Sequence, residues 1–188
     1  MRRSEGGRRW WWIRRVVLLT AGLVIQPVPT MAVPFGYVVN HGDGTVSVID
    51  TASNLVATSI TVGSQPLGAA VNAAGTRAYV TNQMSGSVSV IDTSLNGVVA
   101  TVTVGGGPSG VAVKLPGDLA YVTNRDDKNV SVIDTTTDEV VATVDVGNNP
   151  LGIAVNPAGT PAYVVNKGSN DVSVIDTTKN QVVGTIKV

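Results

Sequence analysis

Residues 121–134 read YVTNRDDKNVSVID. The same frame returns at 37–50 as YVVNHGDGTVSVID, at 79–92 as YVTNQMSGSVSVID and at 163–176 as YVVNKGSNDVSVID. The flanks hold, while the residues just after the Asn change freely. Tyr37, Tyr79, Tyr121 and Tyr163 stand 42 residues apart, and so do Asn40, Asn82, Asn124 and Asn166. Asp50, Asp92, Asp134 and Asp176 keep the same interval. A period near 40 residues is the mark of a propeller blade or a solenoid repeat.

The pattern inside one unit separates these two. GVAV (110–113), AYVTN (120–124), VSVID (130–134) and EVVATVDVG (139–147) are short β-rich runs. Turn formers in KLPGDL, RDDK and TTTD divide them. No window after Ile25 keeps a helical period. Four short strands joined by tight turns make one antiparallel sheet, and such sheets set radially make an all-β propeller. Each sheet is sandwiched between neighbours, so both of its faces require apolar or small residues. VSVID supplies them, with Val130 and Val132 on one face and Ile133 on the other. Small inner runs such as LGAAV and SGVAV suit a strand crowded against a central axis. The Asp that ends each VSVID is expected to accept backbone N–H groups two residues on, setting the next turn.

These signatures, together with VATVxVG and PxGxAVNPAGT, resemble the YVTN-family β-propeller repeat over about 37–188, four times in succession. The resemblance implies a propeller outside the cytoplasm, of the kind found in exported bacterial and surface-layer proteins. Relatives of this kind include binding and surface proteins as well as lactonase-like and lyase-like propellers, so the resemblance implies a scaffold more than an activity.

The first unit departs from the pattern, because TMAVPFG before Tyr37 does not match PLGAAVNAAGTRA. Fifteen strands are therefore expected, or about 3.75 blades of 42 residues, over approximately 37–65, 66–107, 108–149 and 150–188. Three readings follow: a truncated chain, a closed four-blade ring, or a half-ring that a second copy completes. The open or dimerising half-propeller is the preferred expectation.

Residues 1–32 carry three arginine pairs, then an apolar run from Val16 to Ile25, then a Pro-broken tail ending in Ala32. That is the layout of a signal peptide ahead of a body at 33–188, and it predicts a periplasmic, secreted or cell-surface protein. The apolar run is too short to span a bilayer, so a membrane is reached only through an uncleaved leader. Sec and twin-arginine export both stay open. The leader holds six of the 13 basic residues and one of the 13 acidic ones, which leaves the body near −5. Nucleic acid is not an expected partner of such a body. The chain has no Cys, which excludes disulfides and thiolate metal sites.

Residues repeated in every unit are expected to serve the scaffold, so function is sought where the units differ. The variable segments are HGDG (41–44), QMSGS (83–87), RDDKN (125–129) and KGSND (167–171), with the inter-unit stretches SQP, GGP and NNP expected on the same face. Candidate ligand contacts are His41, Asp43, Gln83, Arg125, Asp126, Asp127, Lys128, Lys167 and Asp171. They do not compose a catalytic set. His41 is the single His, so neither a nucleophile–base–acid triad nor a zinc site is expected. The carboxylates fall in three different units, which argues against calcium and glycosidase chemistry. GGGP at 105–108 has no following helix to cradle a phosphate. The sequence therefore predicts no catalytic, cofactor or metal residues. It predicts an exported non-catalytic binding or surface-interaction module, with a ligand or protein partner left unidentified. The alternative is a lactonase-like or lyase-like enzyme whose site other blades or a second subunit complete.

Overall fold

The computed structural model describes residues 35–115 and 118–188. The leader expected over 1–32 lies outside them. Among the described residues, fifteen strands form four antiparallel sheets. The first sheet is β1 (Phe35–Asn40), β2 (Thr45–Asp50) and β3 (Leu55–Thr61). The second runs β4 (Pro66–Val71), β5 (Arg77–Asn82), β6 (Ser87–Asp92) and β7 (Gly97–Thr103). The third is β8 (Pro108–Val113), β9 (Leu119–Asn124), β10 (Asn129–Asp134) and β11 (Glu139–Asp145). The fourth is β12 (Pro150–Val155), β13 (Ala162–Asn166), β14 (Asp171–Asp176) and β15 (Gln181–Lys187). Strands pair in sequence order within each sheet, and β4, β8 and β12 lie side by side while the outer strands splay apart. The chain is an all-β partial propeller of about four blades.

The turn chemistry follows the sequence. Asp50, Asp92, Asp134 and Asp176 each accept, through Oδ1, the backbone N–H two residues on, at 2.8, 2.9, 2.7 and 2.9 Å. The hairpin then passes through a left-handed residue, Asn54, Asn96, Asp138 or Asn180, at φ 49–57°. Asn and Asp tolerate that region better than other side chains do. Just inside each turn the register slips by one, between Val48/Ile49, Val90/Ile91, Val132/Ile133 and Val174/Ile175. Such bulges add twist to the outer strand.

Sheets meet front to back, and three times the same residues do the packing. Tyr79, Val88, Val90 and Val102 on the front of the second sheet meet Ala120, Val122 and Ile133 on the back of the third. Tyr121, Val130, Val132 and Val144 repeat this against Ala162, Val164 and Ile175. Val46, Val48 and Ile60 meet Ala78, Val80 and Ile91. The Tyr121 hydroxyl crosses the junction and donates to Asn180 Oδ1 at 2.8 Å, and burial pushes its pKa up to about 12. Arg77 and Asp138 add an ion pair at 3.0 Å across the middle junction.

Near the axis the junction narrows until backbone meets backbone. Thr81 Oγ1 accepts the Gly68 N–H in its own blade and donates to the Ser109 carbonyl of the next, both at 2.8 Å. Thr123 does the same between Gly110 and Leu151. A Cβ on Gly68 would overlap the Ser109 carbonyl oxygen, and one on Gly110 would overlap that of Leu151. Gly152, one unit further on, would meet nothing within 4 Å.

This contrast is testable by urea denaturation. Gly110→Ala should lower the unfolding free energy by about 2–3 kcal/mol, because the obstructing atom is backbone and cannot rotate aside. Gly152→Ala should change it by less than about 0.5 kcal/mol. Equal effects would show that the inner strands do not approach as described.

Candidate functional site

The variable stretches and the inter-unit stretches gather at one end of the sheets. Each linker lies against the β-hairpin loop of the blade it enters, held by a pair of backbone hydrogen bonds. Gln83 and Met84 donate to the carbonyls of Gln65 and Ser64, at 2.9 and 3.2 Å. Arg125 and Asp126 donate to Gly107 and Gly106, both at 3.1 Å. Lys167 and Gly168 donate to Asn149 and Asn148, at 3.1 and 2.9 Å. A side chain returns the bond each time. Ser85 Oγ accepts from Ser64 N–H at 2.8 Å, Asp127 Oδ2 from Gly106 N–H at 2.8 Å, and Ser169 Oγ from Asn148 N–H at 3.0 Å.

Beneath this clasp sits the recurrent Asn. Its two amide hydrogens reach two acceptors on the neighbouring strand, five and seven residues on. Asn82 Nδ2 donates to Ser87 and Ser89, Asn124 to Asn129 and Ser131, and Asn166 to Asp171 and Ser173, at 2.7–3.2 Å. Asn40 makes the same pair with Thr45 and Ser47. Asn82 Oδ1 also accepts the Gly63 N–H at 3.1 Å, and a Cβ on Gly63, Gly105 or Gly147 would collide with the Asn amide beside it. The Gly that ends VATVxVG is therefore fixed by an Asn 19 residues later.

The nine candidates separate under this geometry. His41 is exposed at the first tip, its Nδ1 3.1 Å from the Pro66 carbonyl, which requires the Nδ1–H tautomer. Asp43 is exposed beside it, and Gln83 is half-buried by its backbone bond to Gln65. Arg125 turns onto Asp126 at 2.9 Å. Asp127 is spent on the Gly106 N–H and so occupies the position of Ser85 and Ser169. Lys128 and Lys167 are exposed and carry no ion pair among the described residues.

Asp171 is not a loop residue. It is the first residue of β14, buried, and it accepts from Asn166 Nδ2, Ser169 Oγ and Lys187 Nζ at 2.8, 3.0 and 2.9 Å. The Lys187 bond, followed by that from Asn166, holds its carboxyl below the usual range. Asp171 and Lys187 face each other across β14 and β15, where the other sheets pair Thr45 with Thr61, Ser87 with Thr103 and Asn129 with Asp145. A charged pair has thus replaced less charged ones at a single cross-strand position. It borders a cavity of about 290 Å³ lined by Asp145, Gly147, Asp171, Ser173 and Thr185 among others. The paired change at 171 and 187 was the available sequence signal. Met84, 71 % exposed at the second tip, was also passed over. Among the described residues no group of three or more His, Asp or Glu is placed to hold a metal ion. What the arrangement offers is a row of clasped hairpins whose tips are free to differ.

Comparison with known proteins agrees with this architecture. The model of the YNCE-like beta-propeller family matches residues 67–161. Among solved structures the chain is similar to the hydrazine synthase of Kuenenia stuttgartiensis, with 28% identity and a TM-score of 0.77, over 81% of this chain and 45% of that one. It is also similar to a functionally unknown protein from Desulfotomaculum acetoxidans DSM 771, with 17% identity and a TM-score of 0.69, over 82% and 54%. The second likeness is one of fold alone. The chain spans about half the length of either structure. No curated protein matches it.

The turn carboxylates set a pH dependence. Hydroxyl bonds from Ser94, Thr136 and Thr178 hold Asp92, Asp134 and Asp176 below the ordinary range, and the Ala52 N–H does so for Asp50. A depressed folded-state pKa means the contribution is present above the unfolded value of about 3.9 and is lost as pH falls through the folded value. The melting temperature should therefore hold from neutrality to about pH 5 and drop below about pH 4. Asp134→Asn should lower it at neutrality and flatten the acid limb, and an unaltered acid limb would assign the transition to other groups.

Proposed function

The chain belongs to the YNCE-like β-propeller family, and we propose that it acts outside the cytoplasm as a non-catalytic module that binds a macromolecular partner through its clasped hairpin tips. The carrying observation is the division between scaffold and tip. The recurrent Asn and Asp are occupied by strand hydroxyls and turn N–H groups of their own blades, whereas the exposed tip residues Met84, Lys128 and Lys167 differ from unit to unit. A rigid scaffold with divergent loops is the usual way a repeat fold acquires a binding surface. The basic and apolar character of residues 1–32 supports export. The activity named for the hydrazine synthase remains that protein's own.

The competing reading is a lactonase-like or lyase-like propeller, for which the Asp171–Lys187 cavity would be the natural site. It is the weaker reading, because Asp171 is already engaged by three donors and the Ser173 hydroxyl beside it accepts from Asn166.

A triple tip variant tests the reading: Met84→Ala, Lys128→Gly and Lys167→Ala. Gly is chosen at 128 because the backbone there has φ 56°. Retention of the protein on washed cell-envelope material from the source cells should fall by about tenfold, corresponding to about 1.4 kcal/mol of binding, with the melting temperature unchanged. Equal retention of the native and variant chains would overturn the proposal, and so would turnover of lactone or ester substrates by the native chain.

A further inference from the structure

The three junctions between sheets bury closely similar apolar residues, and a polar crossing tells two of them apart. At the third junction the crossing is neutral, the Tyr121 hydroxyl donating to the turn residue Asn180. At the middle junction it is charged. Arg77 Nη1 donates to Asp138 Oδ2 at 3.0 Å, with the two side chains 34 % and 16 % exposed. Both residues depart from the repeat. Arg77 stands opposite Asp92 in its own sheet, where Phe35 stands opposite Asp50 and Leu119 opposite Asp134. Asp138 holds the left-handed position that the other hairpins give to Asn54, Asn96 and Asn180. Two positions 61 residues apart have thus changed together, at one junction only. The second Asp138 oxygen, Oδ1, is buried without a hydrogen bond, so the carboxylate depends on Arg77.

We propose that the Arg77–Asp138 pair is a register device, which selects the second sheet as the one neighbour accepted on the back of the third. The apolar packing cannot make that choice. A front docked one unit out of step would still bury Tyr and Val against Ala, Val and Ile. The charged crossing penalises the slip from either side. Were the front of the first or third sheet to meet the back of a third sheet, in one chain or between two, Phe35 or Leu119 would face Asp138 and leave its carboxylate unpaired. Were the second front to meet the fourth back, Arg77 would face the neutral Asn180. Breaking a buried pair costs more than making it contributes, and fixing register is the best-attested use of such groups. Chains of like units are the ones exposed to this kind of misassembly as they fold. The inference concerns the assembly of the scaffold and does not rest on the proposed function.

Two double variants of the full-length chain test it. Arg77→Leu with Asp138→Asn gives the middle junction the Leu and Asn of the third. Leu119→Arg with Asn180→Asp gives the third junction the charged pair of the middle one. Each makes the two junctions alike, the first by removing a pair and the second by adding one. After dilution from urea, the share of either variant recovered at its original elution volume should be about half that of the native chain. A pair that only stabilised the fold would lower recovery when removed and not when added. Slipping brings the second and fourth sheets together, and the chain has no Cys of its own. Val99→Cys combined with Val183→Cys, exposed on β7 and β15, should therefore be joined within refolded chains of both variants by a short bis-maleimide, and not in the native background. Native recovery of either variant, a fall in recovery without the 99–183 cross-link, or that cross-link in the native background would each overturn the proposal.

Discussion

The absence of a single atom governs this molecule. At Gly68 and Gly110 a Cβ would occupy the space of a carbonyl oxygen of the neighbouring blade, so the inner strands come close only because that atom is missing. The approach lets Thr81 and Thr123 serve two backbones with one hydroxyl each. It also sets the wedge shape of the blade, since strands crowded at the axis and splayed at the rim leave room outside for Tyr, Val and Ile. The apolar junctions further out depend on that wedge. Their side chains fill the widening gap with a closely similar set each time, and at two of the three junctions the same backbone approach stands behind it.

Much of this was legible beforehand. The period, the strand count and the Asp-led turns rest on local chemistry: alternation sorts side chains between two faces, and a carboxylate reaches the N–H groups two and three residues on. Partnerships over longer separation were not legible. That Gly63 is held by Asn82, or that Asp127 closes on Gly106, follows from a linker folding back over the hairpin it precedes, and no local pattern announces this. Asp171 shows the same limit. Counted with a variable stretch, it stands at the mouth of a strand, where hydrogen bonding to Asn166 and pairing with Lys187 decide its role. Variation among units therefore marks two things, exposed tips and a cross-strand site where one pair of residues changed together.

The clasp resolves a conflict common to loop-bearing surfaces. A loop free to vary is ordinarily free to move, and ordering it on contact costs conformational entropy. Here two backbone bonds and one side-chain bond fix each of the three later hairpins to the preceding linker, and of the variable residues only Ser85, Asp127 or Ser169 spends its side chain on the clasp. The tips are held in place before any partner arrives, while the side chains at positions such as Met84 and Lys167 stay free to differ.

The uniformity of the junctions has a consequence for descent. Every blade offers its successor the same Tyr and Val surface and receives from its predecessor the same Ala, Val and Ile surface. A recombination event that duplicates or deletes one whole unit leaves the apolar character of the junctions unchanged, and alters only single polar crossings such as Arg77–Asp138 and Tyr121–Asn180. Such chains can lengthen or shorten by whole units with the apolar packing kept, and afterwards diversify one tip at a time.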